Sequence, residues 1–256
     1  MQEVSTKQIV FNGRDEAKNI EDSLIRTGQC KGKGLLILQC DGETTESTYV
    51  KLKREMGERT GVNVRVIFPA NLDKVVTEIL KGNNDDSVDG ILVQLPIKGI
   101  GREETDQILS TINPEKDIDG LNPKSSFVPA VVTAVETVLE KINLERDKSL
   151  AVVGYAGQTG SRLYDRLLEI GYVVSGFDMG DDLNGLVDFD VVISCTGKEG
   201  LIKSGMVKQG FIGIDLGYPK ADFSSEAIEK ASFITPVPGG VGPLTIVSLF
   251  ENLAKA

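Results

Sequence analysis

Apolar positions along this chain fall into alternating helical and strand-like groups. Residues 15–27 carry them at three- and four-residue intervals, which predicts an amphipathic helix, and residues 34–39 form a short apolar run that predicts a buried strand. Helical composition then runs from Thr48 to Arg59 with Gly61 as its stop, followed by a strand from Val62 to Phe68. A helix from Leu72 to Leu80 follows the cap candidate Asn71, then a strand from Asp89 to Leu95 and a short helix from Glu103 to Thr111. After a loop around residues 113–127, Ala130 to Ile142 has a helical pattern. A second series of strands is expected at Leu150–Val153, Tyr172–Phe177, Val191–Cys195 and Phe211–Asp215, with helical periodicity from Arg162 to Ile170. This alternation predicts an α/β fold with parallel sheets. No internal repeat or low-complexity tract interrupts it. The boundary between a first domain (1–125) and a second (126–243) is placed in the loop near residue 125.

Composition narrows the function. The chain has 256 residues, 40% of them hydrophobic and 26% charged, enough for two modest α/β domains with real cores. A net charge of −10 argues against a non-specific nucleic-acid binder, which needs a basic face. There is no apolar run of ~18 residues and no secretory h-region, so no membrane partner is expected and the cytoplasm is the expected location. Cys30, Cys40 and Cys195 have no metal-type spacing and read as reduced thiols; no metal is expected. The chain contains no histidine, so any acid–base chemistry must use lysine, carboxylate, tyrosine, substrate or water.

The second domain opens with nucleotide chemistry. The strand ending at Val153 runs into Gly154-Tyr155-Ala156-Gly157-Gln158-Thr159-Gly160 and then a helix. Glycines at such a turn let the backbone approach a pyrophosphate, whose charge the helix N-terminus favours. The spacing differs from the standard Gly-x-Gly-x-x-Gly, and glycine-rich turns also occur without a ligand. Asp178 ends the next strand, about 20 residues on, where a carboxylate can bond an adenosine ribose; a solvated loop carboxylate is the alternative. Thr196 and Gly197 follow another strand on the same carboxyl edge.

Other features carry chemistry in the first domain and at the C-terminus. Tyr49 and Lys53 are four apart on a predicted helix and share a face, a pairing also common on ordinary surface helices. Gln94 places an amide at the end of an otherwise apolar strand, where it must be hydrogen-bonded or face a cleft. Asp117-Ile118-Asp119-Gly120 has turn chemistry. The run from Thr235 to Thr245 holds three prolines and three glycines and is expected to be a stiff loop, neither helix nor strand, with Leu244 to Leu253 helical after it.

Taken in order, Tyr49-x-x-x-Lys53, Asp89 to Pro96, Pro114 to Gly120 and the Pro238-Gly239-Gly240-Val241-Gly242-Pro243 loop resemble the bifunctional methylenetetrahydrofolate dehydrogenase/cyclohydrolases along nearly the whole chain. The resemblance implies an N-terminal α/β catalytic domain, a C-terminal Rossmann-like dinucleotide-binding domain and an active-site cleft between them. It implies that the last helix, 244–256, packs back on the first domain, and that the protein is a homodimer. The implied chemistry is oxidation of 5,10-methylenetetrahydrofolate with a nicotinamide cofactor, then hydrolysis of the methenyl product to 10-formyltetrahydrofolate. By the same resemblance Lys53 is the central catalytic group, Gln94 orients it, Tyr49 stacks on the folate, and Asp119 holds the pterin edge. Pro238, Gly239 and Gly240 border the substrate, and Gly154, Tyr155, Gly157, Gln158, Thr159, Gly160, Asp178, Thr196 and Gly197 bind the nucleotide.

The chain departs from the family pattern in three places. Pro129-Ala130-Val131-Val132 replaces a Pro-Cys-Thr-Pro stretch, residues 121–127 are shorter than usual, and Tyr155-Ala156 with Asp178 stand where the family carries Arg-Ser and serine. The last change predicts that NAD is favoured over NADP, because a carboxylate repels a 2′-phosphate. A dehydrogenase without the hydrolase step and a catalytically silent folate or nucleotide binder are the competing readings. A shikimate- or amino-acid-type dehydrogenase would leave the Pro238–Pro243 loop unexplained.

Overall fold

The computed structural model describes residues 8–256. In chain order the first elements are β1 (Ile9–Val10), α1 (Gly13–Thr27), β2 (Gly34–Gln39), α2 (Thr48–Thr60), β3 (Asn63–Ile67), α3 (Leu72–Asn83), β4 (Gly90–Gln94) and α4 (Arg102–Leu109). They continue as α5 (Ala130–Lys141), β5 (Ser149–Val153), α6 (Gln158–Glu169), β6 (Val173–Phe177), β7 (Val191–Ser194), β8 (Ile212–Asp215), α7 (Ser225–Ile228), β9 (Phe233–Ile234) and α8 (Val241–Lys255). These form two compact units, one of residues 17–133 with 245–256, the other of residues 8–16 with 134–244.

The first unit is built on a parallel sheet of order β3-β2-β4. Every residue of the central strand β2 is buried, which is why it reads as an apolar run as far as its last residue, Gln39. Leu36, Leu38, Ile91 and Val93 pack with Val75 and Ile79 of α3 in its core. Local chemistry sets the helix ends. The Ser47 hydroxyl accepts from Val50 N at the start of α2, Asn71 Oδ1 accepts from Lys74 N at the start of α3, and Gly61 ends α2 at φ 76°. Each of the two N-cap side chains is worth about 1 kcal/mol.

In the second unit six parallel strands run in the order β1-β9-β8-β7-β5-β6. Strand order reverses at β5, which pairs with β6 on one side and β7 on the other. The carboxyl ends at such a reversal are where open α/β sheets take ligands.

Two features differ from the sequence expectation, the place of β1 and the start of α8. β1 belongs to the second unit, because Ile9 and Val10 pair with Phe233 and Ile234; a two-residue strand with so distant a partner has no local signature. The last helix is where the resemblance implies: residues 245–256 of α8 lie in the first unit, where Asn252 Nδ2 donates to Ile118 O at 2.9 Å and to Val128 O at 3.1 Å. The Thr235–Thr245 run is loop only as far as Gly240, since α8 starts at Val241 and takes in Gly242 and Pro243. Proline fits there because the first-turn N–H groups of a helix have no intrahelical acceptor to lose.

Candidate active site

The first unit brings Lys53, Gln94 and Asp119 together. Strand β2 leads through a loop into α2, which presents Tyr49 and, one turn later, Lys53. Gln94 closes β4. Lys53 is 6% exposed and its Nζ donates to Gln94 Oε1 at 2.8 Å. Asp119 is carried by a turn tied to β4: Ile91 N donates to Lys116 O, and Ile91 bridges Asp117 in parallel register, so the turn runs on in the direction of Gln94. Burial pushes the Lys53 amine below the ordinary lysine range, and the Asp119 charge opposes that shift. The arrangement holds an amine that can exist neutral beside a fixed acceptor and a carboxylate. Tyr49 lies half-buried on the same helix.

The short 121–127 segment is cross-tied. Asn122 N donates to Asp117 Oδ2 at 2.8 Å, the Ser125 hydroxyl donates to Asp117 O, and Ala130 N donates to Asp119 O at 3.2 Å. In the altered Pro129–Val132 stretch, Ala130 to Val132 already form the first turn of α5.

In the second unit the nucleotide candidates gather at the reversal of strand order. Gly154 leaves β5 at φ 83°, and a Cβ there would lie 3.1 Å from Thr196 Cγ2, so the turns after β5 and β7 touch. The helix after it begins at Gln158, four residues before the expected Arg162, with Gly157 as an N-cap that no side chain caps. Gly160 lies against Gly154: a Cβ on Gly160 would fall 2.1 Å from Gly154 O. A backbone cradle closed by glycine and an uncapped helix N-terminus fit a dinucleotide pyrophosphate. Asp178 closes β6, its Oδ2 accepting from Ala156 N at 2.7 Å and its Oδ1 from Met179 N at 2.7 Å. These bonds hold its carboxyl below the usual range. The Tyr155 ring folds over β6, where a Cβ on Gly176 would lie 2.5 Å from it, and meets Tyr164 at 5.5 Å between centroids. Pro238, Gly239 and Gly240 follow β9, another parallel strand of the same sheet.

The match with known proteins covers both units. The family model for the tetrahydrofolate dehydrogenase/cyclohydrolase catalytic domain matches residues 7–119, and the model for the NAD(P)-binding domain of the same family matches residues 129–256. The chain belongs to the tetrahydrofolate dehydrogenase/cyclohydrolase family. It is 34% identical to the bifunctional protein FolD of Helicobacter hepaticus, over 87% of this chain and 85% of that protein. The solved bifunctional FolD methylenetetrahydrofolate dehydrogenase/cyclohydrolase of Campylobacter jejuni superposes with TM-score 0.86 at 30% identity, covering 97% of this chain and 98% of that one. FolD of Trypanosoma brucei, solved with NADP and an inhibitor, gives 0.84 at 28% identity, with 96% of each chain covered. The chain is therefore an enzyme with a catalytic and an NAD(P)-binding domain.

Within this family member, two structural clusters lay outside the sequence reading. Asp222, fully buried, accepts on Oδ2 from the Ser194 and Thr196 hydroxyls at 2.6 and 2.8 Å and from Thr196 N and Gly197 N at 2.9 and 3.1 Å. The polar groups of Thr196 thus organise the turn around Asp222. Burial and the Asp222 charge push neighbouring Asp215 up to about 6. The second cluster centres on Gln39, a buried amide at the end of β2; its one sequence signal was a polar residue closing an apolar run.

Proposed function

We propose that the chain oxidises 5,10-methylenetetrahydrofolate to 5,10-methenyltetrahydrofolate and hydrolyses that product to 10-formyltetrahydrofolate. The observation that carries this reading is the buried Lys53 amine bonded to Gln94 in a chain without histidine. The nicotinamide, when bound, supplies the hydride acceptor for the first reaction. In the second, neutral Lys53 directs one N–H at Gln94 Oε1 and keeps its lone pair for a proton. Water oxygen bonds the methenyl carbon as its first proton passes to Lys53; that proton goes to the ring nitrogen as the carbon–nitrogen bond opens, and the remaining hydroxyl proton leaves to solvent as the formyl carbonyl forms. Asp119 keeps the amine protonable and bonds the pterin edge, while Tyr49 stacks on the folate.

The coenzyme is NAD in preference to NADP. Asp178 is anchored by two backbone N–H groups and offers acceptors to ribose hydroxyls, while Arg162 turns back to Gln158 O at 2.8 Å. A 2′-phosphate ~4 Å from that carboxylate would meet about 1–4 kcal/mol of repulsion. Three free thiols support a reducing compartment, the cytoplasm, and the family resemblance supports a homodimer.

The test follows methenyltetrahydrofolate by absorbance after methylenetetrahydrofolate is mixed with enzyme and NAD or NADP. The signal is expected to rise and then decay enzymatically. A rise without catalysed decay would leave a dehydrogenase alone, and no rise with either coenzyme would leave a binding protein.

A further inference from the structure

Two glutamines close adjacent strands at one rung, Gln39 of β2 being the register partner of Gln94 of β4. Gln94 holds the Lys53 amine. Gln39 is 1% exposed and fully bonded. Its amide N–H groups donate to both Asp41 carboxylate oxygens and to Thr45 O, each at 3.0 Å, and its Oε1 accepts from Ser47 N at 2.8 Å. Ser47 is the N-cap of α2, the helix that carries Tyr49 and Lys53. One buried side chain therefore joins the end of β2 to the first turn of the catalytic helix, across a loop that has no regular structure between Cys40 and Ser47.

We propose that Gln39 is a positioning residue for Lys53, fixing the start of α2 so that the amine meets Gln94 on the neighbouring strand. This rests on the role given to Lys53 above. Lys53 lies six residues past the cap, roughly 9 Å along the helix axis. A small swing of the first turn therefore displaces the amine by more than the few tenths of an ångström that a hydrogen bond tolerates. An apolar residue would fill the end of β2 equally well, but it would leave Ser47 N–H and Thr45 C=O without their partner. Lys53 is faced by Gln94 from β4 and by the Asp119 carboxylate from the 117–120 turn, with Tyr49 on its own helix. The neighbouring Arg54 is engaged with Glu46 and Glu58.

The test is Gln39→Met in the full chain, which keeps length and removes every polar atom. Expected is a loss of about 10- to 100-fold in kcat for methenyl hydrolysis, the scale of a misplaced group, with a smaller rise in KM for the folate, because Tyr49 rides on the same turn, and Kd for NAD unchanged. The Lys53 limb of the hydrolysis pH profile is expected to move upward, toward ordinary lysine, as the amine becomes better solvated. If Gln39→Met does not fold, Ser47→Pro removes the same hydrogen bond from the other side, at a φ of −66° that proline adopts, and is read against Ser47→Ala, which loses the cap hydroxyl but keeps the N–H bonded to Gln39. The same fall and limb shift are expected. Unchanged kcat and limb in the folded variant, with only a lower melting temperature, would overturn the proposal. Lys53→Met is run beside them. If it still hydrolyses normally, the reading of Lys53 fails whatever Gln39 does; if it is inactive, the Gln39 result stands on its own.

Discussion

At the scale of single residues, Lys53 and Asp178 make opposite use of their surroundings. Burial disfavours the charge on Lys53, so between its lowered value and the ordinary 10.5 the native state binds fewer protons than the unfolded chain. Stability from this group is present above 10.5 and lost as pH falls through the lowered value. Lys53→Met removes that slope. Its melting temperature is expected to gain on wild type as pH falls from strongly alkaline toward neutral, above any constant cost of leaving Gln94 unpartnered. Methenyl hydrolysis is expected to fall at least ~100-fold, the lower range for a positioned acid–base group. Parallel melting curves at every pH would show that the amine is not desolvated, and near-normal hydrolysis would remove it from the mechanism. Asp178 keeps its charge through two backbone hydrogen bonds. NAD is expected to exceed NADP by at least about tenfold in kcat/KM, and Asp178→Ser to narrow the gap mainly by improving NADP, as loss of ~1–4 kcal/mol of repulsion requires. A wild type that favours NADP would reverse the assignment.

At the scale of elements, the decisive contact is the packing of α6 on the glycine turn. Gly160→Ala would place its methyl 2.1 Å from Gly154 O and 2.8 Å from Tyr155 Cα, both backbone atoms that no rotamer can move. Overpacking of this kind costs about 1–3 kcal/mol. NAD is expected to bind roughly 5- to 150-fold more weakly if that cost falls on the cradle, while hydrolysis of supplied methenyl substrate continues. An unchanged Kd for NAD, read by titration, would separate this helix from the coenzyme. Elements set by nearby residues were legible in the sequence. β2 shows a continuous apolar run, Asn71 and Gly61 bound their helices, and Lys53, Gln94 and Asp119 fall together as motifs in order. Elements set by distant partners were not. β1 is defined by β9, and Gln39 and Asp222 acquire meaning only from the loops they fasten. The starts of α6 and α8 were misplaced because glycine and proline in a first turn imitate a loop.

At the scale of the whole molecule, neither unit is a continuous stretch of chain. The folate-side unit is completed by α8, whose Asn252 spans two carbonyls and whose Leu253 side chain would meet a Cβ on Gly90 at 2.8 Å. A chain ending at residue 244 is expected to lose the cooperative melting of that unit, because Ile118 O and Val128 O lose a buried donor at about 1–3 kcal/mol each, together with the apolar cover of the helix. Retention of a wild-type unfolding transition by the truncated chain would show that α8 is dispensable there. The pairing of β1 with β9 has a consequence for synthesis. Ile9 is made before its partner Phe233, which emerges more than two hundred residues later. At ordinary translation rates the wait is roughly 10–45 s. Through that interval Ile9 and Val10, apolar and still 61% and 57% exposed in the finished fold, have no strand to join. The edge of the nucleotide-side sheet is thus closed by a strand that waits more than two hundred residues of synthesis for its partner.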